Sequence, residues 1–243
     1  MHNDDEMVGR LLSRRELVAL FGASAVAAMA HRVSGQNPKG NTALPSCVVS
    51  PQQTEGPYFV DEKLLRSDIR VDPSNGVAKA GAPLALTLLV TRVDGNDGTC
   101  TPLRDAQVDI WQCDALGTYS DVKDRSFNTS GQKFLRGYQL TDAGGTANFV
   151  TIYPGWYPGR AVHIHFKIRM AATGGAREFT SQFYFDERLT DRVFARELYS
   201  THPGQRTPNE QDGIYKQGGA QLILPVTQKD DGYAAAFTIG MRT

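Results

Sequence analysis

Two of the five histidines in the chain, His163 and His165, stand one residue apart in the segment VHIHFKI. If this segment is a β-strand, alternate side chains share a face, so both imidazoles point one way and Val162, Ile164 and Phe166 point the other. Imidazole is a good ligand for zinc, copper and iron, so the pair indicates a metal site. On spacing alone, two histidines on a solvated sheet face explain the pattern at least as well.

Three nearby tyrosines favour a metal site over a solvated histidine pair. Tyr119, Tyr153 and Tyr157 lie close in sequence; Tyr119 follows the strand-like segment AQVDIWQC, and Tyr157 sits in the turn PGWYPG. Two phenolates with two neutral imidazoles suit ferric iron better than zinc or copper, because phenolate is a hard anionic donor. A trivalent ion would also keep the tyrosines deprotonated, far below their normal pKa of about 10. Taken singly, each tyrosine is more simply explained as a sheet aromatic with a satisfied hydroxyl.

Four segments carry a specific pattern: TEGPYF at 54–59, PLRDAQVDIWQCDALGTYS at 102–120, FLRGYQLTDAGG at 134–145 and TIYPGWYPGRAVHIHFKI at 151–168. Together they resemble the intradiol ring-cleavage dioxygenases, which act on catechol, hydroxyquinol and protocatechuate. The resemblance implies one non-haem Fe(III) per chain, bound by Tyr119, Tyr157, His163 and His165 with a solvent hydroxide as fifth ligand. It gives Tyr153 no ligand role, which leaves that residue structural.

The same resemblance implies further roles. Arg160 corresponds to the arginine beside the substrate, where a guanidinium can stabilise negative charge on the ring. Gln182 corresponds to a pocket glutamine, with a solvent-facing glutamine as the alternative. Tyr157 takes the axial ligand position and acts as a base. Pro57 and Tyr58 are weaker substrate-contact candidates, in the segment that closes over the pocket.

The implied reaction uses O₂ to cleave a catecholic ring between its two hydroxyl-bearing carbons, which gives a cis,cis-muconate-type dicarboxylate. The partners implied are therefore a small catecholic substrate and O₂. The turn between Tyr157 and His163 is short, and a signal and linker replace the helical N-terminal dimerisation region of catechol-specific members. Both points favour an exported, single-domain branch. A homo-oligomer is compatible with the sequence.

Short apolar runs separated by Gly- and Pro-rich turns predict an all-β fold, an antiparallel β-sandwich of the intradiol dioxygenase type with little helix. Residues 137–141 and 147–153 are predicted to flank a hairpin or tight loop. The one predicted helix is 190–199, with Thr190 as its cap. Strands are predicted over 84–93, 106–113, 137–141, 147–153, 162–170, 179–185, 221–226 and 232–239.

The N-terminal segment predicts export. Arg14 and Arg15 precede an uncharged stretch that ends in Ala28-Met29-Ala30, as in a twin-arginine signal peptide. Residues 1–30 are therefore assigned to the signal, 31–46 to a flexible linker and 47–243 to the dioxygenase domain. The mature protein would be periplasmic or extracellular, with no stable membrane insertion after the signal is removed.

The charge and the cysteine content limit the classes of partner and the disulfides that the chain can have. The 26 Lys and Arg residues balance 26 Asp and Glu residues, so bulk electrostatics indicates no nucleic-acid partner. Cys47, Cys100 and Cys113 allow one disulfide and one odd thiol, and the sequence does not choose among the three pairings.

Two alternatives remain at this stage. The first is a secreted β-sandwich binding module without catalysis, which the four ligands together with Arg160 and Gln182 argue against. The second is a copper or zinc site with His202 as the third ligand, which lacks the acidic residue expected after a cupin-type His-x-His.

Overall fold

Nine β-strands supply most of the regular structure in the residues that the computed structural model describes, namely 49–94, 98–172 and 175–242. The predicted signal and linker lie outside these residues. Two α-helices and two 3₁₀ helices, Asn209–Gln211 and Gly219–Leu222, follow β7. The strands are β1 Pro83–Val93, β2 Cys100–Pro102, β3 Gln107–Trp111, β4 Arg136–Leu140, β5 Thr146–Ile152, β6 His163–Ala172, β7 Gly175–Tyr184, β8 Thr227–Lys229 and β9 Gly232–Met241, and the helices are α1 Glu187–Phe194 and α2 Glu197–Ser200.

The strands form two sheets. The first has the order β2-β1-β9-β8, with β5 also paired to β1, and the second has the order β4-β3-β6-β7. All pairings in the second sheet are antiparallel, whereas β1 and β9 run parallel, with Leu84 opposite Tyr233. The predicted all-β sandwich with little helix is confirmed, and among the paired strands of the described residues the β1–β9 pair departs from the antiparallel pattern.

Alternating apolar residues of both sheets fill the core. On β1, every second residue from Leu84 to Val90 is at most 1% exposed, as expected for a strand with one buried face. On the β6 segment, Val162, Ile164 and Phe166 join the same core cluster, so the predicted core face is confirmed. The opposite face of β6 is therefore left to carry His163 and His165.

Of the hairpin or tight loop predicted around residues 141–145, the tight loop is confirmed and the hairpin is wrong. β4 pairs with β3 in the second sheet, whereas β5 pairs with β1 in the first, so the loop passes from one sheet to the other. The loop itself is tight, because the Asp142 carboxylate accepts hydrogen bonds from the backbone N–H groups of Gly144 and Thr146, both at 2.9 Å. The local sequence encodes this turn, but the choice of partner strand depends on the packing of the whole sandwich.

Two further predictions need correction. The helix predicted over 190–199 begins earlier, since Asp186 caps α1 through the Leu189 N–H at 2.9 Å, and it ends before Arg196, whose backbone is extended. Thr190 lies inside α1, where its hydroxyl donates to the Asp186 carbonyl. The strand predicted over 221–226 is wrong, because a 3₁₀ helix ends at Leu222 and only an isolated bridge joins the next residue to Tyr184.

The described residues include two of the three cysteines, and these differ in state. Cys100 is disulfide-bonded, and Cys113 is a buried free thiol. None of the helices in the described ranges has the length and apolar character needed to span a membrane.

Candidate metal centre

The two histidines of β6 are buried and point at each other. His163 is 2% exposed and His165 1%, and their Nε2 atoms lie 3.0 Å apart. β6 is hydrogen-bonded to β3 on one side and to β7 on the other, so its register is set from both sides. The sheet therefore holds both imidazoles in place.

Both imidazoles are neutral. The Nδ1 atom of His163 lies 2.6 Å from the Ala161 carbonyl oxygen, which can only accept, so Nδ1 carries the proton and the Nε2 lone pair faces the site. Burial, with the Arg160 charge adding to it, lowers the pKa of His163 to about 3. Burial and the neighbouring His163 lower the pKa of His165 well below its ordinary value. The Nδ1 atom of His165 is buried without a hydrogen-bond partner. The His165 ring stacks on the Trp111 ring, with 4.8 Å between the ring centroids.

Two tyrosine hydroxyls converge on the same nitrogen. The hydroxyl oxygens of Tyr119 and Tyr157 each lie 3.4 Å from His163 Nε2. Tyr119 is fully buried, whereas Tyr157 is partly exposed. Burial is the largest cause that raises the pKa of both phenols, so each is held protonated in the absence of a cation.

A close backbone contact brings the two tyrosines together. The Gly155 N–H donates to the Asp114 carbonyl at 3.0 Å, which joins the turn before Tyr157 to the loop before Tyr119. A Cβ at position 155 would lie 2.5 Å from that same carbonyl oxygen, so only glycine allows this approach.

Arg160 lies beside the four donors. Its Nη1 is 3.4 Å from the Tyr157 hydroxyl and 3.5 Å from His163 Nε2, and its Nη2 donates to Gln182 Oε1. Gln182 is fully buried on β7, directly opposite His165, and its amide donates to the Thr54 carbonyl at 2.9 Å. Gln182 is therefore a residue of the site and does not face solvent.

A segment that we call the strap, residues 53–61, lies over the face of the second sheet that carries the histidines. Its Phe59 ring lies edge-on to Trp111 at 4.8 Å and beneath the Lys167 ammonium at 4.2 Å. Ion pairs tie it down at both ends, from Lys167 to Glu55 and from Arg169 to Asp61 at 2.9 Å.

Tyr58 brings the strap into the site. Its ring stacks on Tyr119 at 4.5 Å and meets Tyr157 edge-on at 5.8 Å. Its hydroxyl donates to Asp124 at 3.0 Å, and burial, reinforced by this carboxylate, raises the pKa of Tyr58 to about 12. The neighbouring Pro57 is exposed.

Two residues considered from the sequence lie elsewhere. Tyr153 is fully buried against α1, where its hydroxyl is 2.8 Å from that of Thr190, consistent with a structural role. The His202 ring packs on Trp156 at 4.2 Å. Within the described ranges, no three His, Cys, Asp or Glu side chains form a group suited to a metal ion.

Two residues of the site were not identified from the sequence. Trp111 occupies the position opposite His165 on β3, and strand alternation, which places Val108 and Ile110 in the core, could have located it. Asp212 binds Arg160 Nε at 2.9 Å from a polar loop 52 residues away, and no sequence pattern signals that contact.

Comparisons with known proteins place the chain among ring-cleavage dioxygenases. A family model described as "Dioxygenase" matches residues 54–202. The protocatechuate 3,4-dioxygenase beta chain of Burkholderia cepacia is 36% identical over 106 residues, which are 40% of this chain and only 44% of that relative's length.

Solved structures extend the likeness to the fold. An intradiol ring-cleavage dioxygenase from Tetranychus urticae is 33% identical with a TM-score of 0.68, over 81% of this chain and 95% of that one. The dioxygenase domain of a dioxygenase and carbohydrate-binding protein fusion from Streptomyces sp. SirexAA-E is 26% identical with a TM-score of 0.56, over 81% and 99% of the two chains. The residues that the family model matches include both histidines, both tyrosines, Arg160 and Gln182. Because that model spans more than half of the chain and the Tetranychus urticae dioxygenase is 33% identical over 81% of it, the chain belongs to the intradiol ring-cleavage dioxygenase family.

Proposed function

We propose that this protein is a non-haem Fe(III)-dependent dioxygenase that uses O₂ to cleave catecholic rings between the two hydroxyl-bearing carbons, giving cis,cis-muconate-type dicarboxylates. The observation that carries the proposal is the buried convergence of two histidine nitrogens and two tyrosine oxygens beside Arg160. A secreted β-sandwich binding module without catalysis is not favoured, because family membership accounts for the sandwich together with this polar site.

The donor set fits ferric iron. His163 and His165 would supply neutral nitrogens, and His163 already has its Nε2 lone pair turned to the site. Tyr119 and Tyr157 would supply hard anionic oxygens, which ferric iron prefers. When bound, the ion would supply Lewis-acid and one-electron chemistry, favouring deprotonated phenol and catechol oxygens and making the ring reactive towards O₂.

The two tyrosines differ in a way that separates their roles. Tyr119 is fully buried and stacked under Tyr58, so it has little freedom to move. Tyr157 is partly exposed and lies beside the Arg160 guanidinium. We therefore assign to the Tyr157 oxygen the task of accepting a proton from a catechol hydroxyl, and to Tyr119 that of a permanent ligand.

Arg160 and Gln182 form the polar wall of the site. The guanidinium is held on one edge by Asp212 and on another by Gln182, so it is oriented before a substrate arrives. A fixed positive charge would stabilise negative charge on the ring as the catecholate ketonises, before O₂ attacks. The strap adds Tyr58 to the site, where its ring contacts both Tyr119 and Tyr157.

The experiment is to load the purified protein with iron, record its visible spectrum and identify the products from catechol, protocatechuate and hydroxyquinol. We expect a tyrosinate-to-iron charge-transfer band, which makes the protein wine-red, and a diacid opened between the hydroxyl-bearing carbons. Replacing Tyr157→Phe should alter the band and lower kcat by about 100-fold or more, because it removes a ligand and a base.

Tyr153→Phe is the matched control, since it removes a buried tyrosine hydroxyl four residues away that lies outside the site. It should cost about 1 kcal/mol of stability through the lost hydrogen bond to Thr190 and leave the band unchanged. Colourless iron-loaded protein, or a Tyr157→Phe variant with an unchanged spectrum and turnover, would rule out the proposed function.

A further inference from the structure

A buried aspartate, outside the residues 54–202 that the family model matches, holds the segment that carries Arg160. Asp212 is fully buried, and its Oδ2 accepts hydrogen bonds from Arg160 Nε and from the Ala161 backbone N–H, both at 2.9 Å. Its Oδ1 accepts from the backbone N–H groups of Ile214 at 2.7 Å and Tyr215 at 3.3 Å. Both carboxylate oxygens are thus fully engaged, one by its own loop and one by the site.

The contact between Asp212 and Arg160 sets the direction in which the terminal nitrogens of the guanidinium point. Because Asp212 occupies Nε, the two terminal nitrogens are directed to Gln182 on one side and to the Tyr157 hydroxyl on the other. A guanidinium is planar, so holding one edge by a charged hydrogen bond fixes the direction of the others.

The contact with Ala161 reaches the histidines. The peptide N–H of Ala161 is bound by Asp212, and the carbonyl of the same residue accepts the proton of His163 Nδ1 at 2.6 Å. The partner of the second ring nitrogen determines the tautomer of a ligating histidine. Asp212 therefore contacts Arg160 directly and affects His163 indirectly, through Ala161.

Asp212 is a carboxylate in this setting. Burial alone would raise its pKa, but the Ala161 N–H and the Arg160 charge outweigh burial and lower the pKa below its ordinary value. Replacing it by asparagine would keep the size of the side chain while removing the charge and one acceptor oxygen.

We propose that Asp212 is a positioning residue for the ring-cleavage reaction: it aims the Arg160 guanidinium at the substrate and, through Ala161, keeps the His163 Nε2 lone pair turned to the metal. This inference rests on the proposed function and adds to it a residue outside the matched region 54–202.

The first test needs neither metal nor substrate. In ¹⁵N NMR spectra of the metal-free protein we expect His163 as the Nδ1–H tautomer and a slowly exchanging Arg160 Nε–H. In Asp212→Asn the exchange of that Nε–H should accelerate about 10-fold or more, because a charged, buried partner is lost. Rapid exchange of Arg160 Nε–H in the wild-type protein would itself overturn the proposal, even if the variant failed to fold.

Asp191→Asn is the matched control. Asp191 pairs with Arg206, which belongs to the loop leading to Asp212, so this variant also removes an Asp–Arg ion pair but leaves Arg160 untouched. It should alter neither the Arg160 signal nor the His163 tautomer, and it should retain wild-type turnover.

The second test is a double-mutant cycle on the iron-loaded enzyme. Asp212→Asn should lower kcat by about 10- to 100-fold with a smaller change in KM, as expected when a catalytic group is misplaced by about 1 Å. In an Arg160→Ala background the same change should lower kcat much less, because the group that it positions is absent. Full multiplication of the two losses would show that Asp212 does not act through Arg160 and would overturn the proposal.

The two tests separate this inference from the proposed function. NMR changes confined to Asp212→Asn, in a protein that does not open catechols, would refute the proposed function and retain the role of Asp212 in orienting Arg160. Ring cleavage that is insensitive to Asp212→Asn would retain the function and refute the inference.

Discussion

Gly56 brings the backbone of the strap against a histidine of the candidate metal centre. A Cβ added at this position would lie 3.3 Å from Cε1 and 3.8 Å from Nε2 of His165, and the residue has φ +73°. Gly56→Ala therefore combines two effects, an unfavourable left-handed backbone and a methyl group pressed against the imidazole.

A second glycine allows the two effects to be separated. Gly76 has φ +74° and nothing within 4 Å of its added Cβ, so Gly76→Ala carries the backbone cost alone. Both variants should lose about 1 kcal/mol of unfolding free energy, the usual cost of placing alanine in this conformation.

The contact with His165 gives Gly56→Ala its additional effect. Carbon atoms normally approach to about 3.5–4.0 Å, so the strap or the ring must move by a few tenths of an ångström. The ring is stacked on Trp111 and buried, which restricts its movement. We expect Gly56→Ala to bind iron about 10- to 100-fold more weakly, the range observed when groups that orient metal ligands are disturbed.

The assay compares wild type, Gly56→Ala and Gly76→Ala. Thermal unfolding of the metal-free proteins measures the backbone cost, and titration of the iron-loaded proteins with a chelator, followed by the visible band, measures the affinity for iron. Equal iron loss from all three proteins at each chelator concentration would refute the argument that the strap backbone supports His165.

Two further predictions concern pH and export. Burial raises the pKa of Asp109 to about 6, although the Arg169 charge opposes the rise. The stability that the protonated Asp109 carboxyl contributes is therefore complete below pH 4 and is lost as pH rises through 6. Between pH 4 and pH 7.5 the wild type should therefore lose about 2 kcal/mol of unfolding free energy relative to Asp109→Asn in urea denaturation, and parallel curves would contradict this. Replacing Arg14→Lys together with Arg15→Lys should leave the protein in the cytoplasm of a host with twin-arginine export, as measured by cell fractionation; unchanged export of the variant would refute the signal prediction.

Much of the site could be predicted because its residues share one strand or lie near it. Strand alternation alone places His163 and His165 opposite the core residues Ile164 and Phe166, and the structure confirms both faces. The roles of Tyr119 and Tyr157 came from the resemblance to the family, and their hydroxyls do lie together at His163 Nε2.

Predictions about pairing were less successful. The turn at Asp142 was anticipated, but the strands on either side of it belong to different sheets, because each finds its hydrogen-bonding partner far away in the chain. The helix cap was placed at Thr190 although Asp186 provides it, since both residue types are suitable caps and only the observed backbone distinguishes them.

Strand alternation and residue chemistry are local properties, so the side chains that share a face and the available donor types can be predicted from the sequence. How those donors are held depends on the tertiary structure. The strap that covers them begins more than a hundred residues before His165, and Asp212 lies 52 residues after Arg160, so neither contact has a local pattern. The packing of the two sheets and their loops sets these distances, and with them the burial that keeps His163 neutral and holds Tyr157 protonated until a cation binds.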